Sequence, residues 1–419
     1  MQGKSAISKG EWAKAYSPSP PHWGRIALES LPRGTYTTLL YVENSQPKES
    51  QLMTTGSRVR ICGVVITIAV SLVIFAPSAL KAQAGAKQKP ASPRFEVDAS
   101  WPKPLPNRWV TGEVGGTCVD AHDHVFIVNR DNLTSAEKRN AKSAPPVIEF
   151  DPEGNVVNSW GDPSVLPGGP HGCFVDSHDN VWIAGKLDGI VQKYTHDSKT
   201  LLLQIGTRGK FDTSDGTIDG APLNSSHTQL NEPAGMAVDP ADGDVYVADG
   251  YGNRRVAVFD RKGRFLRQWG RQGTLAEDKA GVGGVFLGNV HCTVLANDGL
   301  VYVCDRLGDR VQIFTKMGKF VRNVFVNPAA GEIIGRGTAW WLAFSPDKAQ
   351  KYMYVADGGD EAIWIFDRAT GTALSRFGQP GHQAGNFSFL HTIAVDLNGN
   401  LIAGETIDGR RVQRLRLLP

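Results

Sequence analysis

Glu232-Pro-Ala-Gly-Met-Ala-Val-Asp239, Asp244-Val-Tyr-Val-Ala-Asp249, Arg255-Val-Ala-Val-Phe-Asp260 and Gly263-Arg-Phe-Leu-Arg-Gln-Trp-Gly270 follow one another in the middle of the chain. Each is a short alternating run, and Asp, Gly and Asn turns separate them. The stretch therefore reads as a four-stranded antiparallel meander. The same line recurs from Gly115 to Gly161, His171 to Gly206, His291 to Val326 and Trp340 to Gly378, and an incomplete copy runs from His391 to Leu418. Trp160-Gly161, Trp269-Gly270 and Phe377-Gly378 close their copies and set the register. Six such sheets arranged radially make an all-β, six-bladed β-propeller, each blade burying its faces against its neighbours. The sixth copy stops after its third strand, at Val412 to Leu417. Arg94-Phe-Glu-Val-Asp98 is expected to add the missing outer strand, closing the ring and leaving no long free edge. Helix should be scarce, and 131–146 and 207–230 read as loops.

Working outward, residues 1–52 are polar, Pro-dotted and aperiodic, and read as a non-native or disordered extension. Met53 then precedes Arg58, Arg60, an apolar run from Ile61 to Ala76 and the small-x-small site Ala82-Gln83-Ala84. That order marks a secretory signal peptide over 53–84, with Met53 as the start. A linker over 85–93 would lead into a propeller over 94–419. The run is short for a membrane span, which needs roughly 20 residues. Export to a periplasmic or extracellular space is expected, with no membrane span after cleavage; the alternative is anchoring by the 61–76 segment. Cys118, Cys173, Cys292 and Cys304 would remain, scattered and mostly on innermost strands. They read as small buried hydrophobes rather than a disulfide framework.

The 419 residues carry a net charge of +3, too little to imply nucleic acid as a partner. The chain has no P-loop, no GxGxxG opening a helix, no GxSxG elbow, no HExxH and no CxxC. Chemistry has to come from the repeat. Five residues before the Val-Asp, or its equivalent, that ends each first strand stand Gly115, His171, Ala234, His291, Trp340 and His391. Histidine fills alternate places. Alternate blades of six lie about 120° apart and first strands line the axis, so three imidazoles converge on the channel. Three neutral imidazoles and one open position make a catalytic zinc arrangement. The plainer alternative is three separate polar residues lining a wet channel.

The start of strand one and the end of strand two share one end of a meander. Arg130, Lys186, Tyr251 and Arg306, at or just after strand-two ends, therefore stand on the rim around the histidines. Lys186 reads as solvated, and Arg306 as a repeat cation pairing with a neighbouring acid. Arg130 and Tyr251 break the repeat's local pattern and are the better functional candidates.

Asn253-Arg254-Arg255-Val256 and Asp309-Arg310-Val311-Gln312-Ile313-Phe314 resemble NHL repeats. Gly112-Glu113-Val114 leading to Phe126-Ile-Val-Asn-Arg130, Pro170-His171-Gly172, Ala248-Asp-Gly-Tyr251, Val290-His291, Cys304-Asp-Arg306 and His391 before Ile393 carry the resemblance further. From about Phe95 to Leu418 the chain resembles the peptidyl-α-hydroxyglycine α-amidating lyase family, six-bladed propellers with a three-histidine zinc. The resemblance implies zinc on His171, His291 and His391, Tyr251 as the catalytic tyrosine, and Arg130 and Arg306 as active-site arginines. Thr392 stands where that family has a calcium-binding acid, which puts a calcium site in doubt. Gly252 replaces the cysteine that follows the tyrosine in animal members, so their disulfide there is absent.

The expected function is a zinc-dependent carbon–nitrogen lyase acting on a carbinolamide, a small-molecule or peptide-derived substrate, in a monomer without redox cofactor. A tyrosine acts as base only where nearby positive charge favours its ionised form, and an arginine would bind the substrate carboxylate in a bidentate pair. Two rivals stand beside it: a non-catalytic exported binding module with a structural metal, and a metal-dependent lactonase or related hydrolase. Lactonases of this fold hold calcium-type ions with Glu, Asn and Asp, and a histidine column argues for a softer metal.

Overall fold

The computed structural model describes residues 92–212, 223–329 and 336–419. Blade one is Val114–Val119, Val125–Asn129, Val147–Phe150 and Val156–Trp160. Blade two is Pro170–Val175, Val181–Gly185, Ile190–Tyr194 and Leu201–Ile205, and blade three is Pro233–Val238, Val245–Asp249, Arg255–Phe259 and Phe265–Trp269. Blade four is Val290–Leu295, Leu300–Asp305, Arg310–Thr315 and Phe320–Phe325; blade five is Trp341–Phe344, Tyr352–Asp357, Ala362–Asp367 and Thr372–Phe377. Blade six takes Leu390–Val395, Leu401–Glu405 and Val412–Leu417 from the C-terminus and its outer strand, Phe95–Val97, from the N-terminal side. Phe95 pairs with Leu417 and Val97 with Leu415, so the ring closes as the repeat requires.

Successive side chains of a strand point to opposite faces, so each blade has two apolar faces. Val245 and Val247 pack into the seam with blade two, beside Trp182 and Ile205, while Tyr246 and Ala248 pack into the seam with blade four, beside Val301 and Phe314. The core is thus a ring of seams rather than one central mass. Each fully buried Val, Leu or Phe contributes roughly 1.5–3 kcal/mol.

Strand-end pairs recur inside the blades. Asp249 accepts from Arg255 Nε at 2.8 Å and Asp305 from Arg310 Nε at 2.8 Å, all buried. Burial pushes Asp305 up to about 6 despite its arginine. These are the repeat's own cations; Arg306, read from sequence as one of them, has no acidic partner among the described residues.

Two expectations need correction. Cys118–Cys173 and Cys292–Cys304 are disulfides, with Cα–Cα distances of 5.5 and 4.8 Å. The first joins the inner strands of blades one and two, and the second joins directly paired residues of blade four. The 131–146 connection is also not all loop, since it holds a short helix, Glu137–Asn140, and the strand Lys142–Ser143, which pairs with Trp109–Val110. The signal-like segment 53–84, the extension before it and most of the 85–93 linker lie outside the described residues. Among the described residues no helix is long and apolar enough to cross a membrane.

Candidate metal centre on the propeller axis

Each histidine is the second residue of an inner strand, and each sits where the register with strand two shifts. Val290 pairs with Asp305 and Cys292 with Cys304, leaving His291 as the extra residue. The same shift brackets His391 between Leu390 and Thr392, and His171 between Pro170 and Cys173. A bulge re-aims the side chain it carries, and here it turns all three imidazoles inward. Their ring centres lie 4.5, 4.9 and 5.0 Å apart, and the three residues are buried.

The positions between the histidines have a use of their own. His171 Nδ1 lies 2.7 Å from the carbonyl of Ala234, and His291 Nδ1 lies 2.6 Å from that of Trp340. His391 Nδ1, by contrast, is buried with no hydrogen-bond partner among the described residues. Gly115, Ala234 and Trp340 are the three non-histidine occupants of the column. For His171 and His291 the backbone oxygens favour the proton on Nδ1 and leave the Nε2 lone pair toward the axis, the tautomer in which Nε2 can bind a metal. Gly172 permits this close approach, because a Cβ there would stand 2.6 Å from the Ala234 carbonyl oxygen.

The Nε2 atoms converge, 3.2 Å apart between His391 and His171. Burial, reinforced by one another and by Arg130, Lys186 and Arg306, holds all three imidazoles well below their usual pKa. Burial thus favours the uncharged imidazole, the form whose nitrogen lone pair can bind a cation. The three offer donor atoms within 4.8 Å of one another, and among the described residues no carboxylate joins them.

The rim candidates stand around the histidines as follows. Tyr251 brings its hydroxyl to 3.0 Å from His171 Nε2 and 2.9 Å from His291 Nε2. Arg306 places Nη1 3.5 Å from that hydroxyl, lays its guanidinium over the Trp340 ring at 3.6 Å and donates from Nε to the Arg336 carbonyl. Arg130 donates to Glu113 Oε2 at 2.6 Å and to the Pro170 carbonyl at 3.1 Å, next to His171. Lys186, read from sequence as solvated, instead stands 3.8 Å above the centre of the Tyr251 ring. Glu113 was not singled out either; it stands beside Arg130 and Thr406, whose Oγ1 is 3.3 Å from Glu113 Oε2. Thr392, in place of a calcium-binding acid, meets the Thr117 hydroxyl at 3.1 Å.

The architecture is a six-bladed β-propeller, and the NHL repeat family model matches residues 230–259. In sequence the chain resembles the peptidyl-α-hydroxyglycine α-amidating lyases and the amidating monooxygenases, at low identity. It is 27% identical to peptidyl-glycine alpha-amidating monooxygenase B of Xenopus laevis over 332 residues, 74% of this chain and 34% of that protein. It is 25% identical to peptidyl-alpha-hydroxyglycine alpha-amidating lyase 1 of Drosophila melanogaster over 343 residues, 75% of this chain and 58% of that protein. NHL repeat-containing protein 3 of Homo sapiens is 26% identical over 273 residues, 63% and 65% of the two chains. The chain thus spans about a third of the Xenopus monooxygenase. Among solved structures, a streptogramin B lyase superimposes with a TM-score of 0.50 at 12% identity, over 77% of this chain and 98% of that one, which shows the fold alone.

Proposed function

We propose that this chain is an exported zinc-dependent lyase that splits a peptidyl-α-hydroxyglycine, R–CO–NH–CH(OH)–COO⁻, into the primary amide R–CO–NH₂ and glyoxylate. The observation that carries the reading is the Tyr251 hydroxyl, within hydrogen-bond distance of two of three converging neutral histidines. His171, His291 and His391 fit zinc by donor type and protonation, and the first two also by their outer carbonyl partners. Zinc held there would supply Lewis-acid polarisation of the substrate hydroxyl.

The chain's own groups divide the rest. Tyr251, as phenolate, takes the proton of the α-hydroxyl. The hydroxyl oxygen forms the aldehyde C=O as the C–N bond breaks, and the departing amide nitrogen takes the same proton back from Tyr251, which returns to its starting state. No electrons leave or enter. Arg306 is the better anchor for the substrate carboxylate, because Arg130 is already held by Glu113 while Arg306 has no acidic partner among the described residues. Arg306 Nη1, 3.5 Å from the phenol oxygen, and Lys186, above the Tyr251 ring, place positive charge on the side where the reaction develops negative charge.

The signal-like segment supports export, with cleavage after Ala84, and the two disulfides suit an oxidising compartment. A second reading draws on the same contacts: Tyr251 could itself be a fourth ligand of a structural metal in a binding module. Incubating the zinc-loaded protein with α-hydroxyhippurate separates the two. Benzamide and glyoxylate released in equal amounts support the lyase, and their absence rejects it in favour of the module.

A further inference from the structure

The other end of the inner strands carries a repeated turn. Asp120, Asp176, Asp239 and Asp396 follow the inner strands of blades one, two, three and six. Each takes turn N–H groups on Oδ1, as in His122 and His124 onto Asp120, and His178 and Asn180 onto Asp176. In two of these blades a lysine meets the second oxygen. Lys193 Nζ is 3.0 Å from Asp176 Oδ2, and Lys316 is paired with Asp239 Oδ2.

Blade one breaks this rule twice. Lys193 pairs across the sheet with Trp182, the second residue of its strand; the residue of blade one in that place, opposite Phe126, is Glu149. A carboxylate thus replaces an ammonium beside the turn aspartate. The partner reaching Asp120 from blade two is an imidazole, His196 Nε2, at 3.0 Å from Oδ2. The Asp120 and Glu149 side chains are 0% and 5% exposed. Two adjacent buried carboxylates cost several kcal/mol each unless positive charge offsets them; among the described residues this pair meets histidines, where the turn aspartates of blades two and three meet lysine.

We propose that Asp120, Glu149 and His196 form a second metal site, for a divalent transition cation, in the seam between blades one and two. Two carboxylate oxygens and one imidazole nitrogen are a donor set such ions accept. The donor atoms lie within 4.8 Å of one another; around a tetrahedral ion with bonds of about 2.0–2.2 Å they would stand about 3.4 Å apart. Closing the site therefore takes small side-chain movements. His124 Nδ1 holds one Glu149 oxygen at 2.6 Å, orienting the carboxylate as outer partners of metal ligands do. The Phe126 ring packs edge-on to His196 at 5.4 Å. Blades one and two are also tied by the Cys118–Cys173 disulfide, two residues before Asp120, so the donors contributed by two blades are held in register. His196 and His124 side chains are 36% and 30% exposed, which gives an ion a path in.

The test is zinc content of the full chain after chelator stripping, reloading with zinc chloride and desalting. His196→Ala and Glu149→Gln should each lose one zinc per chain relative to the unaltered protein, while His178→Ala, on a turn of blade two, loses none. Unchanged zinc content in either variant overturns the site. Should a variant fail to fold, a zinc-edge anomalous map of the unaltered, zinc-soaked protein decides: density between Asp120, Glu149 and His196 supports the site, and its absence overturns it.

Discussion

Two rings of residues surround one axis, and they follow different rules. The inner ring, one residue from the start of each blade, alternates Gly115, His171, Ala234, His291, Trp340 and His391. Even blades give an imidazole, and blades three and five give a backbone carbonyl that faces the preceding imidazole. The rim ring, at the ends of the second strands, is lopsided. Blades one to four give Arg130, Lys186, Tyr251 and Arg306, while blades five and six give Gly358 and Thr406. Threefold placement suits a spherical ion, which has no front or back. One-sided placement of cations and a phenol suits a substrate with a carboxylate at one end and a leaving group at the other. The rim meets the imidazoles at the Tyr251 hydroxyl, and Arg306 lies over the Trp340 ring.

The sharpest way to separate the rings is Tyr251→Phe, which keeps the aromatic body and removes the hydroxyl. Loss of a general base typically costs about 10²–10⁴-fold. Turnover of an α-hydroxyglycine substrate should fall by that order, with zinc content and melting temperature nearly unchanged. Loss of zinc together with activity would instead make Tyr251 a member of the inner ring.

Outside both rings, Arg310→Met should act on the fold alone. It leaves Asp305 buried without its arginine, and breaking such a pair costs about 3–5 kcal/mol. Denaturant unfolding should show that loss, while zinc per folded chain stays constant. The smallest effect should come from Lys186→Met on the rim. An ammonium over an aromatic ring contributes about 0.5–2 kcal/mol, so turnover should fall by about tenfold with zinc retained. A change in zinc affinity rather than turnover would move Lys186 from the rim's chemistry to the ring below.

Much of this was legible in the sequence because a repeat makes its own exceptions visible. The histidines stand out as alternate occupants of one repeated position, and Arg130 and Tyr251 as departures from local pattern. The outer strand of blade six followed from a missing fourth strand. What stayed hidden depends on distances between blades. Lys186 could be placed on the rim, but whether it meets solvent or the Tyr251 ring is set by the spacing of blades two and three. Cys118 and Cys173 are 55 residues apart and meet only because neighbouring inner strands lie side by side. The Cys292–Cys304 pair required the cross-strand register of blade four, which a bulge shifts by one residue at His291. The carbonyl partners were invisible for a simpler reason: a backbone oxygen leaves no mark on residue identity. The reading of Arg306 as a repeat cation failed because two arginines, Arg306 and Arg310, follow Asp305 closely, and the buried pair belongs to the second; its reading as an active-site arginine came from the resemblance.

The central claim is that the alternating ring holds one zinc on the axis. Diffraction from the purified protein, collected on both sides of the zinc absorption edge, tests it directly. Zinc density should lie about 2.0–2.1 Å from Nε2 of His171, His291 and His391, and should vanish from the axis in His291→Ala crystals with the propeller intact. An axis without zinc density in the unaltered, zinc-loaded protein, or density that persists in place after His291 is removed, would contradict it.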